Sequence, residues 1–123
     1  MTVRAALTVA LVLLALLIVV LDADAARYSK RQLWGAVAYD SKTGTYGYAV
    51  DAKTKRDAES EAFRQCGDCD VIRAFRDSCG AVAEMTGKFA WETGASREIA
   101  ETKALKKCGE ACAVKVWACT SEK

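Results

Sequence analysis

The chain has 123 residues, with 18 Lys and Arg against 16 Asp and Glu, six cysteines and no histidine. Its length excludes more than one ordinary domain beside a targeting segment, and its near-balanced, interspersed charge excludes the clustered basic footprint that nucleic-acid phosphates require. The lack of histidine excludes Ser-His-Asp and Cys-His nucleophile systems and removes the commonest general base.

The first element is a targeting segment. Arg4 precedes the uncharged apolar run "AALTVALVLLALLIVVL" from Ala5 to Leu21, and Ala23 and Ala25 follow in the small-x-small spacing that signal peptidase accepts. We read 1–25 as a secretory signal peptide cleaved before Ala26, 26–32 as a short linker and 33–120 as a single domain. The run is also close to the lower length of a bilayer span, so an uncleaved segment is the one expected route to a membrane. All six cysteines lie in the domain, an even number in a small exported chain. That usage suits a secreted or periplasmic location, where thiols are oxidised.

The domain is a duplication. "AESEAFRQCG" at Ala58 to Gly67 aligns with "AETKALKKCG" at Ala100 to Gly109, "WGAVAY" at Trp34 with "CGAVAE" at Cys79, and "TGTYGY" at Thr43 with "TGKFAW" at Thr86. Residues 33–78 form the first copy and 79–120 the second. Two copies are too few for a stacked array, so a two-lobed single domain is expected.

Each copy reads as hairpin, helix and strand. "LWGAVAY" and "TYGYAV" are rich in aromatic and branched residues around the turn "DSKTG". A helix follows, with Thr54 as N-cap, an inward stripe of Ala58, Ala62, Phe63 and Cys66, and Gly67 at its end. The second copy repeats this with Ser96 as cap, the stripe Ala100, Ala104, Leu105 and Cys108, and Gly109. "VIRAF" and "VKVWAC" are the closing strands. The fold class is α+β, mainly antiparallel sheet with two helices, stapled by disulfides.

The Cys66-x-x-Cys69 pair invites a redox reading, but its polarity is reversed. A reactive thiol of this kind sits at a helix N-terminus, where the dipole favours thiolate, whereas Cys66 falls in the last turn with Asp68 and Asp70 nearby. Zinc held by Cys66, Cys69, Cys108 and Cys112 has the right ligand type, but the pairs are further apart than in the usual ribbon. The favoured bridges are Cys66 with Cys69, Cys108 with Cys112, and Cys79 with Cys119. The last is expected to tie the two copies together. No metal and no cofactor are expected.

Other chemistry is sparse. Glu84 and Glu92, each after an apolar strand, are the best candidates for a carboxylate pair, with strand-end surface as the ordinary alternative. Tyr46 and Tyr48 alternate on one strand face, and Phe89 and Trp91 repeat them, so the four could form one aromatic platform for a sugar, a peptide or a protein. Core packing is the competing role for these rings. No Gly-rich phosphate loop is present.

The Trp-Gly-Ala-Val-Ala-Tyr strand, the Thr-Gly turn into Tyr-Gly-Tyr, the Ala-Glu helix ending in Cys-Gly, and a second copy closing on Val-Trp-Ala-Cys together resemble the exported domain of unknown function 4189 family, over Leu33 to Thr120. The resemblance implies a signal peptide and a small cysteine-bearing domain, and it brings no catalytic residues. The expected function is a non-enzymatic binding or inhibitory module in the periplasm or outside the cell, whose partner is a protein, peptide or glycan there and not nucleic acid. The alternative is a thiol-disulfide oxidoreductase using Cys66 and Cys69. The exported protein should begin at Ala26 and be soluble, which intact mass measures directly. A membrane-bound product that keeps Leu21 would reject the cleavage site.

Overall fold

A computed structural model describes residues 32–121. The signal peptide over 1–25, its cleavage site and nearly all of the 26–32 linker lie outside the described residues. Strand β1 (Trp34–Tyr39) and strand β2 (Tyr46–Ala52) form an antiparallel hairpin with Val37 opposite Tyr48 and Tyr39 opposite Tyr46. Asp40 builds the turn between them. Its Oδ1 accepts from the backbone N–H of Lys42 at 2.8 Å and of Thr43 at 3.1 Å, and its carbonyl accepts from Gly44, which stands at φ +75°.

Helix α1 (Lys55–Cys66) starts where the capping pattern places it, with Thr54 Oγ1 accepting from Asp57 N–H at 3.1 Å. Strand β3 (Val71–Arg76) returns antiparallel on the other side of β1, giving the sheet order β2-β1-β3. The second copy repeats the plan. Strands β4 (Cys79–Met85) and β5 (Lys88–Gly94), helix α2 (Arg97–Cys108) capped by Ser96, and strand β6 (Ala113–Cys119) form a second sheet of order β5-β4-β6. Each copy therefore closes a sheet of its own.

Each helix covers the outer face of its own sheet through small residues. Ala58, Ala62 and Cys66 pack on Ala36, Ala38 and Ala49, while Ala100, Ala104 and Cys108 pack on Ala81, Ala83 and Ala90. At Gly47 the approach is so close that a Cβ would strike the carbonyl of Ala62. That closeness corrects one expectation, because Phe63 is 42% exposed. It lies about 100° round the helix from Ala62, outside the narrow stripe that fits against the sheet.

The inner faces of the two sheets meet, so the layers run α1, first sheet, second sheet, α2. Val37, Tyr39, Val71 and Phe75 from the first sheet pack with Val82, Val116 and Ala118 from the second, and Trp91 lies against them. Gly35 on β1 and Gly80 on β4 are equivalent positions in the duplication. The Phe75 ring occupies the space that a Cβ on either would need, and the Trp91 indole fills the rest over Gly80. The Phe75 and Trp91 ring centroids are 6.1 Å apart.

The ends of the domain close on the junction between copies. Leu33 and Asp77 exchange bonds, Leu33 N–H to Asp77 Oδ1 and Asp77 N–H to the Leu33 carbonyl, both at 2.9 Å. Thr120 N–H donates to the Ser78 carbonyl at 3.0 Å. No helix among the described residues is long and apolar enough to cross a membrane. Replacing Gly80 by Ala should force the Phe75 and Trp91 rings apart and lower stability by about 1 to 3 kcal/mol. Denaturant unfolding checks this, and an unchanged midpoint would refute the close approach.

Candidate functional site

The two-residue period of β2 sorts its side chains. Gly47 and Ala49 are buried toward α1, so Tyr46, Tyr48 and Val50 fall on the inner face of the first sheet. β2 is an edge strand, and these three lie 44%, 47% and 38% exposed. They face β6, the edge strand of the second sheet, across a groove of about 370 Å³ floored by Val116 and Ala118. Val116 and Ala118 are themselves buried members of the inter-sheet core.

Phe89 and Trp91 obey the same alternation on β5, but β5 is the edge of the second sheet remote from β6. Phe89 packs on Tyr39 with centroids 5.3 Å apart, and Trp91 packs on Phe75. The four aromatics therefore do not make one platform. Two of them line an open groove at one edge of the sandwich, and the other two pack against the first sheet at the opposite edge.

Polar contacts hold both ends of the groove. At one end Tyr39 donates its hydroxyl to the Glu84 carboxylate, and Lys115 Nζ lies 3.5 Å from Glu84 and 5.8 Å from the centre of the Tyr46 ring. Burial, and then the bond to Glu84, push the Tyr39 phenol above its ordinary range, so it stays a neutral donor. At the other end Asp51, in the left-handed region at φ +60°, accepts from the Ser121 backbone N–H at 2.7 Å and from the Ser121 hydroxyl. The side-chain bond from Ser121, and then its backbone N–H, hold the Asp51 carboxyl below the usual carboxylate range. Beside the groove Arg97 lies 3.8 Å over the Trp117 ring.

Glu84 and Glu92 do not form a pair. Glu92 is in register with Ala81, on the face that packs against α2, and its partner is Lys107 at 3.5 Å. Glu84, three residues along β4 from Ala81, points to the other face and is engaged by Tyr39 and Lys115.

The cysteines stand in three pairs at disulfide distance, Cys66 with Cys69, Cys79 with Cys119, and Cys108 with Cys112, with Cα separations of 5.8, 4.0 and 5.9 Å. Cys79 and Cys119 are opposite each other on β4 and β6, so that bridge braces one sheet and does not tie the copies, contrary to expectation. Cys66 is the last residue of α1, at the end of the dipole that opposes a thiolate. Cys66 and Cys69 belong to the layer around α1, Cys108 and Cys112 to the layer around α2, so the four do not converge on a zinc position. Among the described residues no group of three or more metal-ligating side chains stands together.

These features can be set against known proteins. The family "Domain of unknown function (DUF4189)" matches residues 34–119, from the first residue of β1 to the last of β6. The chain belongs to the DUF4189 family. The Mycobacterium tuberculosis protein Rv1269c is 36% identical over 89 residues, covering 71% of this chain and 69% of that one. The uncharacterized protein Rv1813c of Mycobacterium tuberculosis is 38% identical over 88 residues, covering 70% of this chain and 59% of the relative. The NMR structure of Rv1813c matches this DUF4189 domain with a TM-score of 0.61 at 36% identity, over 71% of this chain and 74% of that one.

Two tests follow from the cysteine and Asp51 geometry of this DUF4189 domain. Replacing both Cys79 and Cys119 by Ala should cost about 1 to 2 kcal/mol more than replacing both Cys66 and Cys69, because the longer loop removes more unfolded-state entropy. Denaturant unfolding of the two double variants measures the difference, and equal losses would refute it. The Asp51 contribution has a defined sign. Its folded pKa lies below the ordinary carboxylate value of about 3.8, so the contribution is present above that pH and fades as pH falls through and below it. Asp51→Asn should flatten the acid limb of stability against pH while leaving the shape above pH 5 unaltered, as thermal unfolding across pH would record.

Proposed function

We propose that the protein is exported and acts as a non-enzymatic binding module, in the periplasm or outside the cell, through the groove between β2 and β6. The carrying observation is that Tyr46, Tyr48 and Val50 remain exposed over an apolar floor in a fold whose equivalent edge is packed. Grooves of this size, about 300 to 1,000 Å³, with apolar walls and few polar groups are the usual form of a recognition site. Export is supported by the apolar run from Ala5 to Leu21, the Ala-x-Ala spacing and the three cysteine pairs at disulfide distance.

The oxidoreductase alternative has weaker support. Cys66 and Cys69 are each only 8% exposed, and Cys66 ends a helix instead of beginning one. The envelope role is tested with the exported protein immobilised and challenged with envelope peptides, peptidoglycan fragments and glycans. At least one class should be retained by the wild type and lost by a variant carrying Tyr46→Ala and Tyr48→Ala. Retention that survives both substitutions would move the function away from this groove. Turnover in an insulin-reduction assay that depends on Cys66 would replace the binding reading with the redox one.

A further inference from the structure

The duplication supplies an internal reference for what the groove accepts. Gly35 on β1 is opposite Phe75 on β3, and its equivalent, Gly80 on β4, is opposite Ala118 on β6. Tyr48 is opposite Val37, and its equivalent Trp91 is opposite the equivalent Val82. The two edges of the sandwich are therefore the same construction with different side chains. At one edge Trp91 packs on Phe75; at the other Tyr48 faces Ala118. A small methyl stands where the first edge has a benzyl group. The groove opens between Tyr48 and Ala118, and its floor continues the inter-sheet core.

We propose, resting on the binding reading above, that the occupant is an extended peptide that pairs with the edge of β6 left unbonded among the described residues and puts one aromatic side chain into the space between Tyr48 and Ala118. Two observations specify it. The aromatic ring is specified by the filled edge, where Phe75 and Trp91 pack together. The extended backbone is specified by the topology, because β6 is bonded to β4 on one side only and an edge strand presents backbone groups for a further strand. The competing edge is less free, since the Gln65 side chain already accepts from the Tyr48 backbone N–H at 3.3 Å.

The probe is a blocked heptapeptide of alternating Thr and Val with a central Trp, titrated into the labelled exported protein and followed by amide NMR. Shifts should be confined to β2, β6 and their flanks. Replacing the probe's Trp by Ala should weaken binding about tenfold or more. Ala118→Phe should fill the space from within and abolish binding while keeping a dispersed amide spectrum. Tyr48→Ala, which removes only an exposed ring, should weaken binding independently of whether Ala118→Phe folds.

Failure of the probe to move β6 at millimolar concentration overturns the peptide assignment, as does binding that is indifferent to its Trp. Chitotriose, run as a second probe, separates the two levels. Shifts at Tyr46 and Tyr48 with the sugar alone would overturn the peptide while leaving the groove as a binding site, and silence with both probes would overturn both.

Discussion

Close contact between two sheets, made possible by the absence of side chains at Gly35 and Gly80, is the constraint on which the rest of this protein depends. Phe75 occupies the space over both glycines, and Trp91 completes the packing over Gly80. The large rings lie in the middle layer, while the buried residues of the outer layers are alanine and cysteine against alanine. A core of this kind gains little from each buried methyl, roughly 0.8 kcal/mol per CH₂-sized group. Covalent bracing at the helix ends and across β4 and β6 suits a core so composed.

Duplication also explains how an open groove can arise without a dedicated loop. Two copies that pack inner face to inner face create two equivalent edges, and each edge is filled only if its own side chains suffice. The substitution of alanine for phenylalanine, and of tyrosine for tryptophan, leaves one edge short of material while the shared core holds the backbone in place. Polar contacts at its ends, Asp51 with Ser121 and Glu84 with Lys115, then frame an apolar floor. The groove is supplied by packing asymmetry between copies.

Much of the architecture was legible because local signals and the repeat agreed. Thr54 and Ser96 mark both helix starts, the Thr-Gly turns mark both hairpins, and the cysteine pairs stand as the helix ends suggested. The site was half legible. Alternation identified Tyr46 and Tyr48 as a face, but placing Phe89 and Trp91 beside them required knowing that each copy closes its own sheet, which no local pattern encodes. Sequence reasoning also missed Lys115, Trp117 and Ala118, whose role depends on a long-range register with β4. The signal that could have found them was the repeat itself: aligning β3 with β6 sets Phe75 against Ala118. Glu84 and Glu92 were misjoined for a simpler reason, since their positions relative to Ala81 differ in parity and put them on opposite faces.

The bonds at the junction between copies have a topological consequence. Leu33 is held by Asp77, and Thr120 by the neighbouring Ser78, so the entry and exit of the domain both lie at the seam where one copy passes into the other. The chain could be opened between Asp77 and Ser78 and rejoined across its ends by a short polar bridge, exchanging the order of the copies while leaving every strand pairing in place. Adjacent ends of this sort also suit a domain to be carried as an insert within a longer polypeptide without disturbing the host on either side.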